Sequence, residues 1–163
     1  NEVLETYPHL TVIKSISKSY GVPGLRLGIA ASSDKEIISY LRKNMAIWNI
    51  NSFAEFYLQI YSKYNNDYQN ACKKFIAERQ RFFEVLQQVV FLRVIPSQAN
   101  YFLCEVTSRF SSTKLVSLLL EHNLLLKDCS TKTGFNGRNY IRIAIRDTED
   151  NNYLAENLKK LQA

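Results

Sequence analysis

Residues 11–31 read T-V-I-K-S-I-S-K-S-Y-G-V-P-G-L-R-L-G-I-A-A. The stretch holds three of the chain's five glycines and one of its three prolines, so a turn is concentrated here between two apolar runs. Thr11–Ile16 is beta-rich, and a polar cluster follows at Ser15, Ser17, Lys18 and Ser19. Gly21, Pro23 and Gly24 punctuate the loop, and Arg26 sits inside the second apolar run, Leu25–Ala31. Two buried strands bracketing such a loop predict a site for an anion beside a reactive amine. Short hydroxyl donors and a guanidinium are what a phosphate monoester needs. A desolvated lysine becomes a nucleophile toward an aldehyde. Taken alone, Lys18 also fits an ordinary solvated loop lysine, and Arg26 a strand residue paired with a surface acid.

Outward from this stretch, the chain has the bulk for a core. It has 163 residues, 46% of them hydrophobic, which excludes a disordered chain. No apolar run is long enough to cross a membrane, and the N-terminus reads N-E-V-L-E-T-Y-P without a secretory pattern. The first residue is not Met and residues 2–4 read as the tail of a helix, so the chain is expected to be excised from something longer. The formal charge of +6 comes from short clusters such as Lys73/Lys74 and Lys159/Lys160 on helical stretches. That pattern is a solvated surface rather than a nucleic-acid interface. Cys72, Cys104 and Cys129 are odd in number and widely spaced, which predicts free thiols and a reducing, cytoplasmic setting. His9 and His122 lack spaced partners, so no metal site is expected.

The remaining periodicities predict an α/β fold. Ser33 to Glu36 has the form of a capping box opening a helix. A second helix is expected over 52–64, a turn at Asn65–Asn66, and a long helix over 67–90. Strands follow over 91–95 and 100–106, then a helix capped by Ser112, a short strand over 124–127 and a strand over 140–146. Asp147 or Thr148 opens the last helix. In Tyr140–Arg146 the isoleucines Ile141, Ile143 and Ile145 alternate with Arg142, Ala144 and Arg146. The expected architecture is a small sheet covered by helices, with the two opening strands in a different sheet. The apolar segment 45–50 and the aromatic helix over 52–64 also fit a non-catalytic interaction domain.

Together the residues of the loop spell S-x-S-K-x-x-G-x-x-G-x-R-x-G, with serines one and three positions before Lys18 and Arg26 eight after it. This resembles the fold-type I, class I/II pyridoxal-phosphate-dependent aminotransferases, in particular the histidinol-phosphate aminotransferase and threonine-phosphate decarboxylase branch. Tyr7-Pro8-His9-Leu10, Trp48-Asn49-Ile50-Asn51, Ala99-Asn100-Tyr101-Phe102 and Tyr140-Ile141-Arg142-Ile143 extend the resemblance along the chain. It implies that Lys18 holds pyridoxal 5'-phosphate as an internal aldimine and shuttles the proton at the substrate α-carbon. Ser15, Ser17 and Arg26 would hold the cofactor phosphate. Arg142 would clamp the substrate carboxylate, with Asn100 and Lys127 also at the substrate. Lys127 stands where relatives often carry an arginine toward a substrate phosphate, keeping the charge without the fork. Arg146 is expected at the rim.

The implied reaction is amino-group transfer between an amino acid and a 2-oxo acid. Decarboxylation of a phosphorylated amino acid is the alternative. Relatives are more than twice as long, so the resemblance implies a missing N-terminal large domain and a homodimeric parent. It assigns residues 1–32 to the end of the large domain, 33–64 to interdomain helices and 65–163 to the small domain. The isolated piece is expected to be inactive and to bind cofactor weakly.

Overall fold

The computed structural model describes residues 2–162. It divides into two units, one running up to Asn70 and the other from Ala71.

The first unit begins with α1 (Glu2–Thr6), β1 (Thr11–Ser15), the short α2 (Ile16–Ser19) and β2 (Gly28–Ser32), followed by α3 (Lys35–Asn44) and α4 (Ser52–Ile60). β1 and β2 form a two-stranded antiparallel ribbon in which Ser15 lies opposite Gly28. β2 starts later than the apolar run suggested, because Pro23–Leu25 form a 3-10 turn instead. The strands are not buried within this chain: β1 is exposed throughout, and Ile13 is 81% exposed. A small buried set formed by Ile16, Leu27 and Ala54 holds the unit together.

Capping explains where α3 starts. Asp34, not Ser33, is the N-cap, and its carboxylate accepts from the Glu36 and Ile37 N–H groups at 2.9 and 3.1 Å. The Ser33 hydroxyl donates instead to the Leu4 carbonyl at 2.6 Å. Asn51 caps α4 in the same way, through the Ala54 N–H.

α5 (Asn65–Leu86) crosses from the first unit into the second. Asn65 and Asn66 therefore open a helix where a turn was expected. The break falls just before them, in the 3-10 turn Tyr61–Tyr64. The second unit adds β3 (Leu92–Ile95), β4 (Tyr101–Val106), α6 (Ser112–Leu120), β5 (Lys127–Asp128), β6 (Tyr140–Ala144) and α7 (Thr148–Lys160). Its four strands lie in the order β3-β4-β6-β5, with every neighbouring pair antiparallel. The isoleucine face of β6 and Phe102 and Cys104 of β4 pack with Phe82 and Leu86 of α5, Leu115 and Leu119 of α6, and Leu158 of α7. This is a two-layer arrangement of a sheet with helices on one face. Ser111 caps α6 through the Lys114 N–H, one residue before the serine expected. Asp147 caps α7 as its sequence suggested.

Glu78 joins α5 to the sheet–helix junction. Its carboxylate accepts from Arg81 Nε and Nη2 at 2.8 and 2.7 Å, from Thr148 Oγ1 at 2.8 Å and from Asn151 Nδ2 at 2.7 Å. Asn151 is buried and also brackets Arg146, accepting from its N–H and donating to its carbonyl. The Arg81 hydrogen bond, followed by those of Asn151 and Thr148, outweighs the opposing effect of burial and holds the Glu78 carboxyl down at about 2. A folded-state pKa depressed in this way stabilises the protein above the unfolded carboxylate range, and that stability is lost as pH falls toward about 2. Glu78→Gln is expected to reduce stability at neutral pH by about 1–3 kcal/mol. It should also give a shallower loss between roughly pH 4.5 and 2. Urea unfolding across that range checks both, and parallel pH curves for the two proteins would exclude this role for Glu78.

Candidate functional site

The opening motif folds around one carbonyl. The Leu27 oxygen accepts from the Ile16 and Ser17 N–H groups at 3.1 and 3.3 Å. Ser17 is buried, and its hydroxyl accepts from the Leu27 N–H at 2.8 Å and donates to the Leu27 carbonyl at 3.2 Å. Pairing Ser17 with Leu27 places their sequence neighbours, Lys18 and Arg26, at the same end of the ribbon. Ser15 ends β1 there as the N-cap of α2, without a side-chain cap bond.

Below α2, Tyr20 stacks on Tyr68 with ring centroids 4.4 Å apart and meets Tyr61 edge-on at 5.0 Å. The Tyr68 hydroxyl donates to the Ser19 carbonyl at 3.1 Å. The buried Ile16 side, the Ser17 bonds and the tyrosines pin this single helical turn, and Lys18 and Ser19 are its exposed members. This chain's own atoms do not bury the amine.

Arg26 is exposed and adopts φ 56°, ψ 37°, the left-handed region, directly after the 3-10 turn. Its Nη1 donates to the Pro23 carbonyl at 3.3 Å. A side chain held in that region costs about 1–2 kcal/mol relative to ordinary backbone, which marks Arg26 as a position where the fold gives up stability. The group of donors suits a phosphate ester carrying an aldehyde: a hydroxyl at Ser15, most of a guanidinium at Arg26 and the amine of Lys18. The Ser17 hydroxyl is engaged with Leu27 instead.

The second unit carries the other expected residues. Arg142 is exposed on β6, between the buried Ile141 and Ile143. Its guanidinium lies over the Tyr101 ring, 5.1 Å from the centroid. Lys127 of β5 is its direct cross-strand partner on one side and Leu103 of β4 on the other. Two cations directly opposite each other repel, and among the described residues neither forms an ion pair. Asp128, next to Lys127, is held by Thr113 Oγ1 at 2.7 Å and by the Ser130 N–H and hydroxyl, both at 2.9 Å. Burial raises its carboxyl, but these hydrogen bonds prevail and bring it down to about 2. Asn100 is exposed, and its carbonyl accepts from the Ile145 N–H at 3.0 Å. Arg146 pairs with Asp150, as suits a rim charge. Sequence reasoning did not single out Tyr101, although the period-two pattern of β4 puts it on the face of Arg142.

Cys72, Cys104 and Cys129 are free thiols, as expected. Burial pushes the Cys104 thiol up to about 12 and leaves it inert. Among the described residues there is no metal-binding cluster, and no helix is long and apolar enough to cross a membrane.

The helical turn that bears Lys18, the loop with Arg26 and the antiparallel sheet with its outward Arg142 hold the residues on which the resemblance to a known family rests. The profile of the family "Aminotransferase class I and II" matches residues 2–158, and the chain belongs to this family. The family's cofactor is pyridoxal 5'-phosphate. An L-serine phosphate decarboxylase of Campylobacter jejuni is 33% identical over 96% of this chain and 40% of its own length. The threonine-phosphate decarboxylase of Salmonella typhimurium is 30% identical over 97% of this chain and 43% of its own. The crystal structure of histidinol-phosphate aminotransferase from Clostridium acetobutylicum superposes with a TM-score of 0.88 at 29% identity, covering 99% of this chain and 48% of that one. The chain thus spans less than half the length of these relatives.

The strain at Arg26 has a measurable consequence. Glycine accepts φ 56° without penalty but loses more entropy on folding. Arg26→Gly is therefore expected to unfold no earlier than wild type, with a gain of up to about 1 kcal/mol. A clear drop in thermal stability would mean that the arginine side chain itself supports the turn.

Proposed function

We propose that this chain is the C-terminal part of a pyridoxal-phosphate-dependent enzyme that decarboxylates a phosphorylated amino acid. The observation that carries the reading is the Lys127–Arg142 pair, two cations directly opposite on the outward sheet face and free of ion-pair partners among the described residues. Such a substrate brings two anionic groups. Its carboxylate suits the planar fork of Arg142, and its phosphate suits the point charge of Lys127. The relatives named as serine- and threonine-phosphate decarboxylases support the same class. Transamination between an amino acid and a 2-oxo acid is the second reading, favoured by the structural likeness to a histidinol-phosphate aminotransferase.

In either reading the cofactor supplies, when bound, an electron-withdrawing ring conjugated to the substrate nitrogen. Lys18 supplies the amine that holds the cofactor aldehyde and, once released, moves a proton at the substrate α-carbon. Ser15 and Arg26 hold the cofactor phosphate, and Ser17 joins them by turning its hydroxyl from the Leu27 carbonyl. Asn100 precedes β4, and its substrate role rests on the resemblance alone.

The relatives' greater length and the exposed β1–β2 ribbon support a larger cofactor domain completed by residues 1–32, with 33–64 as connecting helices and 65–163 as the small domain. The exposed apolar side chains around Trp48, which is itself 92% exposed, and Phe53 support a homodimeric parent.

The deciding assay supplies O-phospho-L-serine and O-phospho-L-threonine to the enzyme assembled with its cofactor domain. Carbon dioxide is expected in equal amount to the amine product, and 2-oxo acid without carbon dioxide would establish transamination instead. Lys127→Ala is expected to raise KM for the phosphorylated substrate about tenfold, the loss of one charged hydrogen bond. The isolated chain mixed with pyridoxal phosphate is expected to develop only a weak, unsaturable visible band. A strong saturable band that disappears in Lys18→Ala would show that this half binds the cofactor alone.

A further inference from the structure

Arg142 has two diagonal neighbours on β4. Its direct partner is Leu103, and Tyr101 and Glu105 stand one pleat to either side on the same open face. Diagonal neighbours lie about 7–8 Å apart, within reach of a long side chain. A carboxylate at that spacing is a natural partner for a guanidinium, in a short charge-assisted bond. Yet Arg142 turns the other way and lies over Tyr101.

The reason is on β3. Arg93 is the direct partner of Glu105, and it donates to Glu105 Oε2 from Nε at 2.7 Å and also from Nη2. Arg138 Nε stands 4.0 Å from the other carboxylate oxygen. Arg93 Nη2 also reaches the Tyr140 hydroxyl at 3.5 Å. The Glu105 side chain is 15% exposed against 55% for Arg93, so the arginine covers it. The other acid in these strands, Asp128, lies opposite Ile141, on the reverse face from Arg142, and is engaged by Thr113 and Ser130.

We propose that Arg93 is a positioning residue for the anion site: by occupying Glu105 it leaves Arg142 on Tyr101 with its fork free for an incoming anion. The inference rests on Arg142 and Lys127 being the anion pair. An Arg93–Glu105 bridge that only pairs two strands is worth less than about 1 kcal/mol, and its removal would leave Arg142 where it is.

The orientation of Arg142 is readable by NMR on the full chain, because the Tyr101 ring current displaces its side-chain signals. Those signals are assigned by their disappearance in Arg142→Ala. In Arg93→Ala the displacement is expected to vanish as the guanidinium swings to Glu105. In Arg93→Ala/Glu105→Gln it is expected to return, and Glu105→Gln alone should leave it unchanged. Titration of the enzyme assembled with its cofactor domain with O-phospho-L-serine should then show about tenfold weaker half-saturation in Arg93→Ala, restored in the double variant. Unmoved Arg142 signals in Arg93→Ala, or a double variant that behaves like the single one, would overturn the proposal. Arg93→Gln, which keeps much of the aliphatic stem, makes the same comparison if the alanine variant does not fold. Arg142 signals that follow Arg93 while O-phospho-L-serine fails to bind the assembled enzyme would uphold the positioning role and overturn the substrate reading.

Discussion

Ile141 and Ile143 are fully buried against α5, α6 and α7, and side chains along a strand alternate, so Arg142 between them has only the opposite face to occupy. The same rule carries across the sheet. Antiparallel register puts Leu103 and Lys127 beside Arg142, and it puts Tyr101 and Glu105 diagonal to it. Placing the isoleucines in the core therefore decides the charge pattern of the open face. A slip of one residue in β6 would bury the guanidinium and expose the isoleucines, which no packing of the helices could offset.

The first unit solves a different problem, that of presenting a lysine on a single turn of helix too short to be stable by itself. It does so with anchors on every other side. Ile16 is buried, Ser17 is tied to both polar groups of the Leu27 backbone, and Tyr20 is stacked on Tyr68, whose hydroxyl reaches Ser19. The serine that the spacing marks as a phosphate donor is thus also the fastener of the loop. Arg26 completes the arrangement in a left-handed conformation that an arginine adopts only at a cost.

Much of this was legible in the residues themselves. The spacing of Ser15, Ser17, Lys18 and Arg26 identified the family, and the alternation of β6 assigned each of its side chains to a face. What the sequence left open has physical causes. Ser33 and Asp34 are both good caps, and the choice between them is made by the Leu4 carbonyl, which takes the serine hydroxyl. Leu25 reads as strand, but Pro23 presets a 3-10 turn that delays β2 to Gly28. The positive φ of Arg26 has no signature in residue type, since glycine is the usual occupant. The exposure of β1 also runs against its composition, because hydrophobicity records what a strand can pack against and not whether this chain supplies it.

The charges of the second unit bear on the choice between its two readings. In the proposed reading a site for one carboxylate needs a single fork, and Arg142 alone would provide it. A second cation directly across the strand is a cost to the sheet unless something anionic arrives to sit between them. Lysine suits that place because a phosphate presents charge in many directions and does not demand the planar match that a carboxylate rewards. Glu105 would remove the need for any ligand if it could reach Arg142, but Arg93 holds it. The open face thus keeps two neighbouring cations unneutralised by the strands' own acids, and the proposed doubly anionic substrate rests on that pair.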